Sequence, residues 1–301
     1  MTHKSSNLSH NIEESTIIER IGNTPLLNLT GIFGKSDGVS LFAKAEWYNP
    51  GGSIKDRAAL SMIRAGEEEG KLNTNKIVLD ATSGNTGIGL AMICSALNYR
   101  LSLVIPENVS KERKTILNAY GANTTYTNPL EGIDEAIKKA REMFSENPEK
   151  YFYVDQYSNE ANWKAHYKTT GPEIIEQTEG KITHFVAGVG TGGTIGGTGR
   201  KLKEYNKSIK IIEVQPDSPF HGLEGLKHME TALIPKIYNE KLRDDLLNIS
   251  TEEAQRMTVK LAREKGILIG PSSGAALVAS LKVASEIKQG MIVTVFPDSG
   301  F

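Results

Sequence analysis

The stretch Lys76-Ile77-Val78-Leu79-Asp80-Ala81-Thr82-Ser83-Gly84-Asn85-Thr86-Gly87-Ile88-Gly89-Leu90-Ala91-Met92-Ile93-Cys94-Ser95-Ala96-Leu97 decides the fold class. Its β-branched start predicts a strand over Lys76–Asp80, and its apolar end predicts a helix over Ile88–Leu97. A strand passing through a short polar loop into a helix is half of a crossover between parallel strands. Working outward, the same alternation recurs. Strands are expected at Leu41–Ala45, Leu101–Ile105, Tyr151–Val154, Thr183–Ala187, Lys210–Val214 and Met291–Phe296, with a strand-like piece at Ile267–Ile269. Amphipathic stretches separate them, among them a helix from Gly132 to about Phe144. The chain therefore reads as an α/β protein with mainly parallel sheet, and a change of composition after Tyr151–Val154 puts a domain boundary near Asn159.

Length and charge narrow the functional classes. The 301 residues suffice for two domains, and 39% hydrophobic residues suffice for a sizeable core. Thirty-five basic residues against thirty-six acidic ones leave no field for a polyanion, so nucleic acid and membrane surfaces are not expected partners. Met1–Ser15 is polar, lacks the apolar core of a secretion signal and reads as a flexible tail or arm. A cytoplasmic location is the resulting expectation. The single cysteine, Cys94, excludes an internal disulfide and falls on the apolar pattern of a helix, which marks it as core filler.

Four segments carry chemistry. In Asn49-Pro50-Gly51-Gly52-Ser53-Ile54-Lys55-Asp56-Arg57, a glycine turn and a serine able to cap precede a helix with Ile54, Ala58 and Met62 on one stripe. Lys55 then lies in the first turn, where the positive end of the helix dipole disfavours a cation by about 0.3–1 kcal/mol and lowers its pKa. That placement suits an amine that attacks an aldehyde, although an ordinary solvated lysine stays open. In Thr82-Ser83-Gly84-Asn85-Thr86-Gly87, hydroxyls, an amide and backbone N–H groups converge on a helix N-terminus, as a carboxylate or phosphate oxygen requires. Gly188-Val189-Gly190-Thr191-Gly192-Gly193-Thr194 is a phosphate-binding loop between a strand and a helix ending near Tyr205. It also satisfies G-x-G-x-x-G, with Glu213 about twenty residues on, so a nicotinamide dinucleotide is a competing ligand. The fourth segment, Gly270-Pro271-Ser272-Ser273-Gly274-Ala275-Ala276, opens a helix of small apolar residues and reads by itself as a closely packed cap.

In this order the four segments resemble the cysteine synthase and cystathionine β-synthase family of fold-type-II pyridoxal-phosphate enzymes, being most similar to cysteine synthase. Ile21-Gly22-Asn23-Thr24-Pro25-Leu26, Asp155-Gln156-Tyr157 and Thr170-Gly171-Pro172-Glu173-Ile174 match as well, and the resemblance runs from about Ile17 to Asp298. It implies a two-domain, tryptophan-synthase-β-like fold, with mainly parallel twisted sheets and helices on both faces. The smaller domain would span 48–158, the larger one 16–47 together with 159–301, and 1–15 would lie outside both. The resemblance makes Lys55 the Schiff-base lysine and the acid/base at Cα. Asn85 would meet the cofactor's phenolic oxygen, while Thr82, Ser83, Asn85 and Thr86 would hold the substrate carboxylate, with Gln156 closing on it. Gly190, Thr191, Gly192, Gly193 and Thr194 would take the phosphate of pyridoxal 5'-phosphate. Ser272 would face the pyridine nitrogen, and a hydroxyl there, unlike a carboxylate, does not keep that nitrogen protonated.

The implied reaction is β-replacement on O-acetylserine or O-phosphoserine by sulfide, giving L-cysteine through an enzyme-bound α-aminoacrylate. Condensation of serine with homocysteine and diaminopropionate-type replacement are alternatives. Lys227 stands where an arginine meets the substrate phosphate in an O-phosphoserine branch, and a surface lysine is the equal alternative. The resemblance also implies a homodimer and, as a further partner, the C-terminal tail of a serine acetyltransferase. Neither haem nor a metal is expected.

Overall fold

The computed structural model describes residues 16–32, 34, 38–82 and 84–300, so the Met1–Ser15 tail and Ser83 lie outside the described residues. In chain order the elements are β1 (Leu26–Asn28), β2 (Val39–Ala45), α1 (Lys55–Glu68), β3 (Ile77–Ala81), α2 (Asn85–Ala96), β4 (Arg100–Pro106), α3 (Lys111–Ala119) and β5 (Asn123–Thr127). Then come α4 (Gly132–Glu146), β6 (Tyr151–Tyr153), α5 (Glu160–Lys168), α6 (Thr170–Gln177), β7 (His184–Gly188), α7 (Gly193–Tyr205) and β8 (Lys210–Pro216). The chain ends with β9 (Asp245–Ile249), α8 (Thr251–Lys265), α9 (Pro271–Glu286) and β10 (Gly290–Phe296).

The strands form two sheets. One runs β5-β4-β3-β6 and is wholly parallel. The other runs β1-β2-β10-β7-β8-β9 and is parallel except for β1, which pairs antiparallel with β2. Alternate side chains of one strand enter different cores, as helices on both faces demand. Ile292 and Phe296 of β10 pack with α8 and α9, whereas Val293 and Val295 pack with Ile174 of α6 and Ile195 and Leu202 of α7. In the smaller sheet Val78 faces α1 and α2, and Leu79 faces Ala136, Ile137 and Ala140 of α4. Cys94 is buried in the former core, which pushes its thiol up to about 12. No described helix is long and apolar enough to cross a membrane.

Each expected strand is present within a residue or two, but β1, β5 and β9 were not expected. All three lie at sheet edges, where polar residues such as Asn123, Thr124 and Thr125 are tolerated and the apolar signal is lost. The strand-like Ile267–Ile269 is corrected: it contributes a single bridge, Ile269 to Ser299, and no strand. The helix expected from Ile88 begins at Asn85, because Gly84 turns the chain and donates its N–H to Thr82 Oγ1 at 3.1 Å.

A buried ionic cluster anchors the start of α1. Arg57 Nε meets Glu46 Oε2 at 2.7 Å, and its Nη1 meets Glu173 Oε1 at 2.6 Å. Lys44 Nζ pairs with Glu173 Oε2 at 2.6 Å and donates to Thr24 O at 2.6 Å. The polar atoms left over are taken up by Thr24 and Asn49, both bonded to Glu46, and by the N–H of Asn23 on Glu173. Burial opposes the charge on Glu173, yet the hydrogen bonds and charges of Arg57 and Lys44 hold its carboxyl down to about 2. For Lys44, burial outweighs the same attraction and lowers the pKa. The segments around Gly22–Thr24 and Glu173 thus converge on the helix that carries Lys55.

Candidate active site

Lys55 is the first residue of α1, and its N–H donates to Ser53 Oγ at 3.2 Å; the N-cap position itself is Ile54, one residue later than the serine expected to cap, and carries no side-chain cap. Ile54, Ala58 and Met62 are buried, which draws this face of the helix inward. The Lys55 side chain is part-buried, and its Nζ makes no hydrogen bond or ion pair with the described residues. Removal from water lowers its pKa, while the nearby Asp298 carboxylate works in the opposite direction. Burial thus favours the neutral form of this amine over the ammonium.

The loop after β3 and the loop after β7 are joined by a relay of hydrogen bonds. Thr86 Oγ1 donates to Gln156 Oε1 at 2.8 Å, and Gln156 Nε2 donates to Ala81 O at 2.9 Å. Asn162 Nδ2 then donates to Gln156 O at 2.7 Å and to Thr191 Oγ1 at 3.2 Å. Thr82, Thr86, Gln156 and Thr191 are all buried. Helix α5, which carries Asn162 and His166, packs against both α1 and α7 and so brings Lys55 toward the second loop. His166 Nε2 lies 3.5 Å from Thr194 Oγ1, and its ring is kept neutral by burial first and by the charges of Arg57 and Lys55 next.

The second loop is shaped by its glycines. Gly192 has φ +85° and caps α7, a conformation that disfavours side chains. A Cβ at Gly190 would stand 2.1 Å from Gly225 O, and one at Gly193 would stand 2.0 Å from Asn162 Oδ1. Backbone therefore approaches closely at the N-terminus of a helix of thirteen residues, with Thr191 and Thr194 beside it. A phosphate monoester fits this donor set. Gly190→Ala is expected to abolish retention of a phosphorylated cofactor without unfolding the protein; cofactor absorbance after gel filtration, alongside circular dichroism, checks it.

Ser272 is buried in the first turn of α9. Its neighbour Ser273 donates to Asp298 O at 3.4 Å, which ties the fourth segment to the end of β10. Lys227 is set beside the second loop by its N–H on Val189 O at 2.9 Å. Its Nζ lies 3.9 Å from Asp134 Oδ1 and 5.3 Å above the Tyr157 ring, and its side chain is only 12% exposed, so it is no freely solvated lysine. Glu213, the acid a dinucleotide would need, is buried and already bound by Gln215 at 2.6 Å, Tyr238 at 2.8 Å and Arg243 at 2.9 Å. The nicotinamide alternative thereby loses its ribose partner. A surface hollow bounded by Lys114, Asn118 and Tyr126 involves none of these groups, and no group of three or more His, Cys, Asp or Glu residues among the described ones could hold a metal.

Asp298, Asn162 and His166 went unmarked in the sequence. Asp298 follows the C-terminal end of β10 by two residues, and in parallel sheets ligands gather at such ends, which is the signal that points to it. Asn162 and His166 sit on a helix without any local motif.

An amine without a partner among the described residues, a glycine-shaped helix start and a hydroxyl-rich loop joined to it by hydrogen bonds fit an aldehyde cofactor that bears a phosphate. The comparison with known proteins agrees: the chain belongs to the family of pyridoxal-phosphate-dependent enzymes, which matches residues 17–298. A cysteine synthase from Aquifex aeolicus is 51% identical over 291 residues, covering 95% of this chain and 89% of that protein. Among solved structures, a cysteine synthase from Entamoeba histolytica superposes with a TM-score of 0.91 at 35% identity, covering 100% and 91% of the two chains. An O-acetylserine-dependent cystathionine β-synthase from Helicobacter pylori gives 0.89 at 37% identity, covering 95% of each.

Proposed function

We propose that this enzyme makes L-cysteine by β-replacement, exchanging the β-substituent of an activated L-serine, O-acetylserine or O-phosphoserine, for sulfide. The observation that carries the reading is the Lys55 Nζ at the head of α1, without a hydrogen-bond or ion-pair partner among the described residues, in a site linked by hydrogen bonds to the loop read as phosphate-binding. Support comes also from the relatives, which include cysteine synthases and an O-acetylserine-dependent enzyme.

Pyridoxal phosphate, when bound, supplies an aldehyde for the amino group and an electron-withdrawing ring that acidifies the Cα–H. Lys55 would carry it through Nζ and, once displaced by the substrate amine, take the proton from Cα and later return one. Gly190, Thr191, Gly192, Gly193 and Thr194 would hold the phosphate through the α7 N-terminus. Thr82, Ser83, Asn85 and Thr86 would bind the substrate carboxylate, with Gln156 completing the wall and Asn85 reaching the phenolic oxygen. Ser272 would oppose the ring nitrogen as a hydroxyl partner. Lys227, held between Asp134 and Tyr157, would meet an anionic leaving group as a point charge. The cytoplasmic location, the homodimer and the docking of a serine acetyltransferase tail belong to the same proposal, on the likeness to the family.

Product analysis tests it directly. With O-acetylserine, O-phosphoserine and serine, each offered sulfide or homocysteine, the expected result is cysteine from an activated serine and sulfide. Cystathionine as the dominant product, or no product from either ester, contradicts the reading.

A further inference from the structure

We propose that Asp298 is a positioning residue of this site: its carboxylate fixes the orientation of the Asn85 amide and keeps a negative charge beside Lys55. The inference rests on the assignment of Lys55 above and deepens it.

Residue 298 touches three of the four chemistry-bearing segments. It forms an antiparallel bridge with Ser53, two residues before Lys55, and the preceding Pro297 O accepts the Ile54 N–H at 2.9 Å. Its own carbonyl accepts from Ser273 Oγ at the start of α9. Its side chain crosses to α2, where Asn85 Nδ2 donates to Asp298 Oδ2 at 2.6 Å. The other oxygen, Oδ1, is shut off from solvent without a hydrogen-bond partner among the described residues. A Cβ at Gly270 would come within 2.2 Å of that oxygen, so the glycine is what leaves room for the carboxylate.

Two consequences follow. An ionised carboxylate only accepts hydrogen bonds, so it settles which end of the Asn85 amide faces it: the nitrogen. The second N–H of that nitrogen is left to donate to an anionic oxygen. The charge itself acts on Lys55, favouring the ammonium against the burial that disfavours it. The charged groups around Asp298 are Lys55 on α1, Arg113 on α3 and Glu224 on the segment after β8; burial raises its pKa, while Asn85, Lys55 and Arg113 counter that rise. Arg113 and Glu224 are bound to one another at 2.5 and 2.7 Å, so neither replaces Asp298 beside Lys55. The ring of His166, which also senses Lys55, has its pKa lowered by burial and then by the charges of Arg57 and Lys55.

Capture of an aldehyde and removal of the Cα proton both need the neutral amine, so both rates rise with pH through the Lys55 pKa. Removing the neighbouring negative charge lowers that pKa and moves the rise toward acid. The test compares wild type, Asp298→Asn and Asp298→Glu as full-length protein dialysed free of cofactor. Two readouts are followed across pH: the rate at which pyridoxal phosphate is captured, by absorbance, and kcat for cysteine formation. For Asp298→Asn the midpoint of both profiles is expected to fall by about one pH unit, on the order of what a nearby opposite charge produces. Asp298→Glu, which keeps the charge, is expected to stay near the wild-type midpoint. Should Asp298→Asn capture no cofactor, Asp298→Glu decides, and capture with the wild-type midpoint upholds the proposal. Coincident midpoints for Asp298→Asn and wild type, or loss of capture in both variants, overturn it. Failure of the Lys55 assignment shows differently, as a Lys55→Ala protein that still forms the lysine-bound absorbance band.

Discussion

Lys55→Ala is expected to lower turnover by at least about 10³-fold and to remove the absorbance of lysine-bound cofactor, while leaving the fold intact. The size follows from two tasks on one atom. On the proposed assignment the same Nζ that carries the cofactor also moves the proton at Cα, so its deletion would remove covalent attachment and general acid/base action together. Stability is expected to change little, because among the described residues Nζ has no hydrogen-bond or ion-pair partner whose loss would leave a buried group unsatisfied. Steady-state kinetics with sulfide and an absorbance spectrum of the purified variant check both parts. Wild-type turnover by the variant would remove Lys55 from the mechanism.

Arg57→Ala, only two residues away, is expected to act through stability instead, costing about 3–5 kcal/mol as a broken buried ion pair does. Arg57 is 3% exposed and serves Glu46, Glu173 and Thr24 through five hydrogen bonds. Truncation strands the Glu46 carboxylate, which is wholly buried, with only the hydroxyl of Thr24 and the amide of Asn49 to satisfy it. Arg57→Lys keeps a charge but not the planar fork, and its loss is expected to fall between wild type and alanine. Urea midpoints for the three proteins measure this. An alanine variant as stable as wild type would show that the cluster does not hold α1 in place.

The difference between the two variants reflects how the chain divides its labour, and also what could be read from it. The central strands were legible because burial on both faces leaves long apolar runs, as in Leu101–Ile105 and Met291–Phe296. Edge strands such as Asn123–Thr127 are half-solvated and composed much like loops, so no period marks them. The candidate site was legible where the proposed chemistry needs a local string: glycines and threonines at the start of α7, hydroxyls before α2, a lysine at the head of α1. Where contacts depend on the return of a distant segment, the signal disappears. Asp298 meets Asn85 across 213 residues, and Arg113 meets Glu224 across 111, and no spacing rule relates either pair. Glu213 shows the reverse case. It had the right distance from a glycine motif for a ribose-binding acid, yet it is buried and three neighbours converge on its Oε1.

One covalent link, between Lys55 and the cofactor, is central to the proposed function, and trapping it is the most direct measurement. Reduction of the cofactor-loaded enzyme with borohydride, followed by proteolysis and mass spectrometry, is predicted to place a single pyridoxyl group on the peptide that contains Lys55. A group on any other lysine, or none after reduction of a protein that shows the bound-cofactor spectrum, would contradict it.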